Sequence, residues 1–321
     1  MTREWRWQVL KVAVSIVLLG FLLSRVDLGQ ISALLREAHP GFLALAFGTT
    51  VVAWLLNTLK WQRLLHALGQ RLPYRQLLML NYIGIFYALV LPGQVSGEVM
   101  KGIRLTRAGI SVANTVVSIG VDRLTGLIAL GILGFVGLLV APSVAVSQTM
   151  LWFSAAAAVL AGGPLLFVAL RSPAQVNLLP RIGALAPLQS AAFAAWQGLA
   201  AYQKSPSLLI AALLQAVGFQ VLVTLSNYLA ALGVGVELPA AALLWIVATV
   251  SLVHMVPISF AGLGIREGAY VFLLNQYGVP LTSAVALSIT VSGMILLQGV
   301  IGGILDALSL KSQMLAARSI E

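Results

Sequence analysis

The composition of this 321-residue chain is that of a membrane protein, because 60% of its residues are hydrophobic and only 9% are charged. A typical soluble domain carries about 25% charged residues, so that class is excluded. The formal net charge is +10, but the cations flank apolar segments and form no single basic face, so no nucleic-acid partner is implied. The chain has no cysteine, which excludes disulfides and thiol chemistry.

Several apolar runs approach or exceed the roughly 20 residues that cross a hydrocarbon core. The six predicted spans are Val9–Leu23, Gly41–Leu59, Val112–Val140, Met150–Leu170, Ser207–Leu232 and Thr282–Leu308. The first run lacks a small-residue cleavage site, so we interpret it as a retained anchor. Amphipathic connectors are predicted between spans at Ile31–His39, Lys60–Arg71 and Ser190–Lys204.

Two further apolar runs are shorter, and each ends at a proline. Leu77–Leu91 leads into "LPGQVSGEVMKGIRL", and Ala240–Val256 leads into "VPISFAGLGIREGAY". The two stretches share the pattern Pro-x4-Gly-x3-(Lys or Arg), which aligns Lys101 with Arg266. Six such markers recur in the same order about 165 residues apart, which favours an internal duplication.

The distribution of Lys and Arg orients these segments. With the N terminus in the cytoplasm, the cations after Pro92 stay on that side only if Leu77–Leu91 dips into the membrane and returns. The second short run then dips from the opposite face. The predicted fold is an all-α polytopic membrane protein with about six full spans, two re-entrant helical hairpins and an inverted internal repeat. It forms one membrane domain, 1–321, with an anchor span and connector at 1–39, repeat 1 at 40–204 and repeat 2 at 205–321.

Broken helices at matching positions of inverted repeats indicate a transport site near the membrane midplane. Irregular backbone at that depth requires a cavity or protein to satisfy it. The alternative is that Gly and Pro serve only as packing and kink residues, which are common in membrane helices. The residues predicted to shape the loops are Pro92, Gly97, Pro257, Gly262 and Gly264.

Ionisable residues in or beside the apolar runs are candidate binding residues, because each costs about 2.5–3.5 kcal/mol at a helix centre and so needs a partner or a function. A helix that starts after a Gly-rich turn also offers N–H groups and a positive dipole end to a phosphate. The predicted headgroup-binding cations are Lys101, Arg104, Arg123 and Arg266, and the carboxylates that orient them are Glu98, Asp122 and Glu267.

Two simpler interpretations of these charges stay open. Asp122 and Arg123 fit a buried ion pair that braces two helices. Lys101, Arg104 and Arg107 fit an ordinary basic cluster on an anionic lipid surface.

Three stretches resemble the signatures of the lysylphosphatidylglycerol synthase transmembrane region family, also called the flippase-like domain family. They are "LPGQVSGEVMKGIRLTRAG", "SIGVDRLTGLIAL" and "VPISFAGLGIREGAYVFLL". The resemblance covers about Leu55 to Leu308 and implies translocation of a lipid headgroup across the bilayer. Its members include the membrane half of enzymes that make and flip aminoacylated phosphatidylglycerol, and stand-alone proteins linked to moving isoprenoid-linked sugars or other lipids. Glu98 stands where the family pattern has Asp, and no soluble transferase region accompanies it, so lipid synthesis is not implied.

The expected function is translocation of an anionic, phosphate-bearing headgroup, such as that of a phospholipid or a polyprenyl-phosphate-linked lipid. We expect the chain in the cytoplasmic (inner) membrane with both termini in the cytoplasm, a membrane lipid as partner, and no cofactor. A second copy of the chain or a lipid-biosynthesis partner stays open.

An enzyme is not expected, because the histidines at 39, 66 and 254 lack metal-ligand spacing and no catalytic constellation is recognisable. Two alternative functions remain. One is an integral-membrane transferase acting on a lipid-linked sugar, and the other is a scaffold for a lipid-modifying partner.

Overall fold

The computed structural model describes residues 15, 20, 24–91, 95–141, 202, 205–255 and 264–318, with side chains of the last helix described to Ser309. This part of the chain consists of helices joined by turns and contains no strand, so the predicted all-α class is confirmed. Its helices are α1 (Leu28–Glu37), α2 (Pro40–Ala67), α3 (Tyr74–Val90), α4 (Ser96–Arg107), α5 (Val112–Val140), α6 (Pro206–Gly233), α7 (Ala240–His254), α8 (Ile265–Asn275) and α9 (Leu281–Arg318).

Four of these helices are long and apolar enough to cross a membrane: α2, α5, α6 and the first 29 residues of α9. A helix of 28 residues is about 42 Å long, which exceeds a hydrocarbon core of about 30 Å. The predicted spans at 41–59, 112–140, 207–232 and 282–308 each lie within one of these four helices. The predicted spans at 9–23 and 150–170 and the connector at 190–204 lie outside the described residues, except for residues 15, 20 and 202.

Local sequence explains where the helices begin. The carboxylate of Asp27 caps α1, and Ser111 Oγ caps α5 by accepting the N–H of Asn114 at 3.2 Å. Pro40 and Pro206 occupy the first position of α2 and α6, where the missing N–H of proline has no cost. The prediction that 31–39 is a connector between spans agrees with α1, a short helix ahead of the first described span.

The predicted end of the second span at Leu59 was wrong, because α2 continues to Ala67. Lys60, predicted to begin the amphipathic connector at 60–71, lies inside this helix and is only 2% exposed. A single charge does not terminate a helix when no breaker follows. The chain turns only at Gly69, whose φ of 74° suits glycine and ends the helix.

The short helices α3 and α4 form an antiparallel hairpin. Near its tip, Ser96 Oγ donates to the carbonyl of Tyr87 at 3.0 Å. Further down, Lys101 Nζ donates to Asn81 Oδ1 at 3.1 Å. The connection contains Pro92, which lies outside the described residues.

The second pair of short helices, α7 and α8, is arranged in the same way. Trp245, near the start of α7, donates its indole N–H to the hydroxyl of Tyr277, just beyond the end of α8, at 2.6 Å. Pro257 and Gly262 fall in the connection at positions that the structure does not describe. Gly264 precedes α8 with a φ of 82°, which favours glycine.

Helices α2 and α6 pack antiparallel along their whole length. The N–H of His39 donates to the carbonyl of Gly233 at 2.8 Å, so the start of α2 meets the end of α6. Ser226 Oγ donates to the carbonyl of Ala46 at 2.8 Å. At the other end, Leu64 packs in one apolar cluster with Ala212. This helix pair joins a first half, residues 40–141, to a second half, residues 206–318.

The first short helix of each half also packs on the last long helix of the other half. Helix α3 of the first half packs on α9, and α7 of the second half packs on α5. Both contacts bring backbones close at a glycine, since Gly302 lies against the backbone of Tyr82 and Gly137 against that of Trp245. The largest apolar core cluster is built mainly from the second half, whereas the interior of the first half contains buried charges.

Candidate functional site

A cavity of about 90 Å³ lies between the two halves. The first half contributes residues from α2, α4 and α5, and the second half contributes residues from α6 together with Met255 at the end of α7. Among the described residues, the ionisable ones that line the cavity all belong to the first half. This ion cluster consists of Lys60, Glu98, Lys101, Asp122 and Arg123.

Lys60 and Asp122 connect α2 to α5 at one side of the ion cluster. Lys60 Nζ lies 3.0 Å from Asp122 Oδ1, and both side chains are buried. The ammonium also donates to the backbone carbonyl of Asp122 at 3.2 Å and to Thr125 Oγ1 at 3.4 Å. Asp122 is therefore one half of a buried ion pair that braces two helices, although its partner is Lys60 and not the adjacent Arg123.

Glu98 joins α4 to α5 within the ion cluster. It is the third residue of α4, where a carboxylate interacts favourably with the positive end of the helix dipole. Its Oε1 is paired with Lys101 Nζ at 3.0 Å and with the guanidinium of Arg123. The residue is only 6% exposed, and its Oε2 has no hydrogen-bond partner within the described part of the chain.

Lys101 is held by contacts from three helices. Besides Glu98, its ammonium meets Asn81 Oδ1 of α3 and lies 5.1 Å from the ring centroid of Trp61 of α2, a cation–π distance. Asn81 in turn donates its Nδ2 to Thr58 Oγ1 at 2.9 Å. These contacts fix the position of the Lys101 charge, because movement of the ammonium would break several of them at once.

Arg123 is the open member of the ion cluster. Its side chain is 51% exposed, whereas the Glu98 side chain that it contacts is 7% exposed. The ion cluster contains three cations and two carboxylates, so it carries a surplus positive charge at the cavity. An arginine fork presents several N–H donors in a plane and matches the oxygens of a phosphate. The arrangement can therefore attract and hold an anion.

The remaining wall of the cavity is largely apolar. Trp54 of α2 and Phe219 of α6 meet edge to face with their ring centroids 5.5 Å apart, and Leu127 and Leu130 lie nearby on α5. Gln220 adds one neutral polar group from the second half. A charged wall opposite an apolar wall suits a polar headgroup joined to an apolar tail.

Arg104, a predicted binding residue, does not line this cavity. Its guanidinium pairs with the carboxylate of Asp306 on α9, which also accepts the hydroxyl of Tyr87 at 2.8 Å. The Arg104 side chain is 11% exposed, so it is no solvated basic residue. This ion pair crosses from the first half to the second.

Arg266 and Glu267, the other two predicted binding residues, form a separate network on α8 and α9. Arg266 pairs with Glu267 Oε1 at 3.0 Å, and Ser292 Oγ bridges them at 2.7 Å and 2.8 Å. Glu267 Oε2 accepts the N–H of Gly264 at 2.6 Å. Both carboxylate oxygens of Glu267 therefore have partners, and neither residue lines the cavity.

The two hairpins differ in where their charges lie along the helix. Lys101 is the sixth residue of α4, whereas Arg266 is the second residue of α8, so these cations do not hold equivalent helical positions. Glu98 and Glu267 do, since each is the third residue of its helix. The reason is that the connection from α7 to α8 is longer than that from α3 to α4.

Sequence reasoning missed Lys60 and Asn81 as members of this region. A signal for Lys60 was the absence of any proline or glycine between the apolar run and Gly69. Asn81 was a lone amide inside the run 77–91, and such groups in membrane helices usually find a partner on a neighbouring helix.

Comparison with known proteins identifies the chain's relatives. Residues 8–303 match the family model described as "Lysylphosphatidylglycerol synthase TM region". The chain belongs to this family. The resemblance carried by its three signatures is thereby confirmed. The described residues include four helices long and apolar enough to cross a membrane, and together with the family match these make the chain an integral membrane protein.

One relative of this family member is a "UPF0104 membrane protein" from Methanothermobacter thermautotrophicus (strain Delta H). It is 34% identical over 92 residues, which cover 29% of this chain and 25% of the relative. The match thus spans about a quarter of that relative's length.

Proposed function

We propose that this chain translocates the anionic, phosphate-bearing headgroup of a membrane lipid, such as a phospholipid or a polyprenyl-phosphate-linked lipid, across the bilayer. The observation that carries the proposal is the ion cluster with its surplus positive charge, placed at a cavity between two halves of a membrane protein. Buried charges in membrane helices are costly and mark functional sites, among them substrate and ion pathways. The apolar wall of the cavity is consistent with a lipid tail that stays in the bilayer.

In this proposal Arg123 makes the main contact with the phosphate. Its half-exposed guanidinium can leave Glu98 without stranding that carboxylate, because Lys101 remains 3.0 Å from the same oxygen. Lys60 and Lys101 add positive charge from fixed positions, and Asp122 and Glu98 hold the cations in place. Arg104 and Arg266 act on the structure of the protein, because each is paired with a carboxylate away from the cavity.

We further propose that the two halves are inverted repeats. Helices α2 and α6 each have 28 residues, begin with proline and are followed by a glycine of positive φ, Gly69 or Gly235. The remaining elements follow in the same order in both halves, and the α3–α9 contact has its counterpart in α7–α5. Because α2 and α6 are antiparallel, equivalent elements run in opposite directions. The antiparallel pairs α3–α4 and α7–α8 support re-entrant hairpins, one from each membrane face.

The orientation follows from the positive-inside rule, which favours the cytoplasmic side of the inner membrane for both termini. Movement of one half against the other then exposes the cavity to alternate faces. The ion cluster moves with the first half, because all of its residues lie on helices of that half.

The test is lipid transport by the full chain in vesicles that contain a labelled anionic phospholipid, read as loss of label to an impermeant quencher. Wild-type protein accelerates exchange, and Arg123→Gln lowers the rate about tenfold or more, which corresponds to loss of a charge-assisted contact. Arg107→Gln is the matched control, because this exposed arginine ends α4 outside the cavity. Equal rates for wild type and Arg123→Gln, or no acceleration by wild type, would reject the proposal.

A further inference from the structure

The carboxylate of Glu98 uses only one of its two oxygens. Lys101 and Arg123 both contact Oε1, whereas Oε2 is buried and has no hydrogen-bond partner among the residues described. A buried acceptor without a donor is unfavourable, and such a group in a native site calls for an explanation.

Glu267 shows what the same residue type does when its role is structural. It stands at the same third helical position as Glu98, and its two oxygens accept from Arg266, Ser292 and the N–H of Gly264. It does not line the cavity, whereas Glu98 does. The unpaired oxygen is thus found in the glutamate at the cavity and not in its counterpart.

We infer that Glu98 Oε2 accepts a hydrogen bond from a donor group, a hydroxyl or an ammonium, that the headgroup carries next to its phosphate. This inference rests on the proposed function and specifies the substrate class. An ionised carboxylate paired with two cations is an acceptor only, so the group that meets it must donate.

The geometry places both ends of such a headgroup in one site. Arg123 contacts Oε1, the other oxygen of the same carboxylate. A phosphate bound to the Arg123 guanidinium therefore lies close enough to Oε2 for a donor a few bonds away in the headgroup to reach it. A headgroup with both a phosphate and a donor pairs its phosphate with Arg123 and its donor with Glu98 Oε2. A headgroup without a donor satisfies only the cation and leaves Oε2 buried without a partner, which a site built for hydrogen bonding disfavours.

Binding of short-chain lipids to the purified full chain in detergent tests this directly. Phosphatidylglycerol and phosphatidylmethanol form one matched pair, since both carry one phosphodiester charge and only the first has hydroxyl donors. Phosphatidylethanolamine and phosphatidylcholine form the second pair, in which only the first has an ammonium donor. The measured quantity is the ratio of dissociation constants within each pair.

The expected result is that the donor-bearing lipid of one pair binds about tenfold more tightly, as one charge-assisted hydrogen bond provides. The pair that shows the difference identifies a hydroxyl or an ammonium as the donor. Glu98→Gln lowers that ratio several-fold, because a neutral amide oxygen is a weaker acceptor than a carboxylate, and Glu267→Gln, the matched control, leaves it unchanged.

Equal binding within both pairs by wild-type protein, or no binding of any of the four lipids, would overturn the inference. The wild-type ratios decide the matter even if Glu98→Gln does not fold. Because the readout is binding, selective binding without transport would reject the proposed function alone, and transport with equal binding would reject this inference alone.

Discussion

Lys60 and Asp122 form a buried ion pair of 3.0 Å that joins α2 to α5. Neighbouring residues on a helix point in different directions, so Asp122 reaches α2 while Arg123 reaches Glu98 on α4. One dipeptide therefore supplies both a structural brace and an open cation. Substitution of Asp122 should therefore change the stability of the fold, whereas substitution of Arg123 should change the affinity of the cavity for an anion.

The first prediction concerns the brace. Lys60→Met leaves the carboxylate of Asp122 buried without a cation, which should lower the free energy of unfolding by about 3–5 kcal/mol. Thermal unfolding in detergent measures the change. The double variant Lys60→Met with Asp122→Asn should recover a large part of the loss, because no unpaired charge remains. A single variant that unfolds at the wild-type temperature would show that the pair does not stabilise the fold.

The second prediction concerns Asn81, which links Lys101 to Thr58. Asn81→Leu should lower the free energy of unfolding by about 1–3 kcal/mol, because buried polar groups lose their hydrogen-bond partners. It should also slow lipid transport, because Lys101 is no longer held at the cavity. Asn227→Leu is the control. That buried amide accepts from Tyr270 at 2.6 Å outside the cavity, so stability should fall while the rate of lipid transport per folded protein is kept. Unchanged transport by Asn81→Leu would contradict the prediction.

The third prediction concerns the close contact between α3 and α4. A Cβ at Gly97 would clash with the backbone of Gly84, so Gly97→Ala should push the helices apart and displace Glu98. We expect a stability loss of about 1–3 kcal/mol, as for other overpacked contacts, and reduced transport. On the same helix, Gly102→Ala meets Thr115 Cγ2 at an ordinary 3.5 Å and should be tolerated. Equal behaviour of the two variants would exclude the packing role of Gly97.

The fourth prediction tests the inverted arrangement, using the absence of native cysteine. Arg107 and Gln276 are exposed at the ends of α4 and α8, close before the positive-φ glycines 109 and 278. If the halves are inverted, an impermeant thiol reagent should label Arg107→Cys only from the cytoplasmic face and Gln276→Cys only from the other. Labelling of both from one face would show that the repeats are parallel.

The sequence was sufficient to predict the main helices, because four apolar runs of adequate length became four membrane-length helices. It was insufficient for the burial of Lys60, although the absence of proline and glycine before Gly69 was a signal that α2 continues past Leu59. Burial of Lys60 depends on Asp122, which lies 62 residues further along the chain, and no local pattern announces that encounter. The same limit applies to the repeat register, since the longer connection before α8 shifts Arg266 relative to Lys101.

The candidate site was only partly predicted, because its contacts also join residues that are far apart in the sequence. Four predicted residues, Glu98, Lys101, Asp122 and Arg123, meet at one cavity. Arg104 has the same charge and lies on the same helix as Lys101, yet it is paired with Asp306, 202 residues away. Sequence identifies which residues are charged inside an apolar chain, but only the packing of distant helices determines which of those charges are already neutralised.

The ion pair between Arg104 and Asp306 joins the two halves, whereas the ion pairs of the ion cluster lie within the first half. The ion cluster belongs wholly to the first half, so sliding of the halves leaves its internal pairs intact. Arg104 and Asp306 lie on opposite halves, so the movement that we propose would separate them. The barrier to exchange between states would then depend on residues remote from the cavity, while affinity depends on the cavity itself. Speed and selectivity could thus be altered independently in this protein.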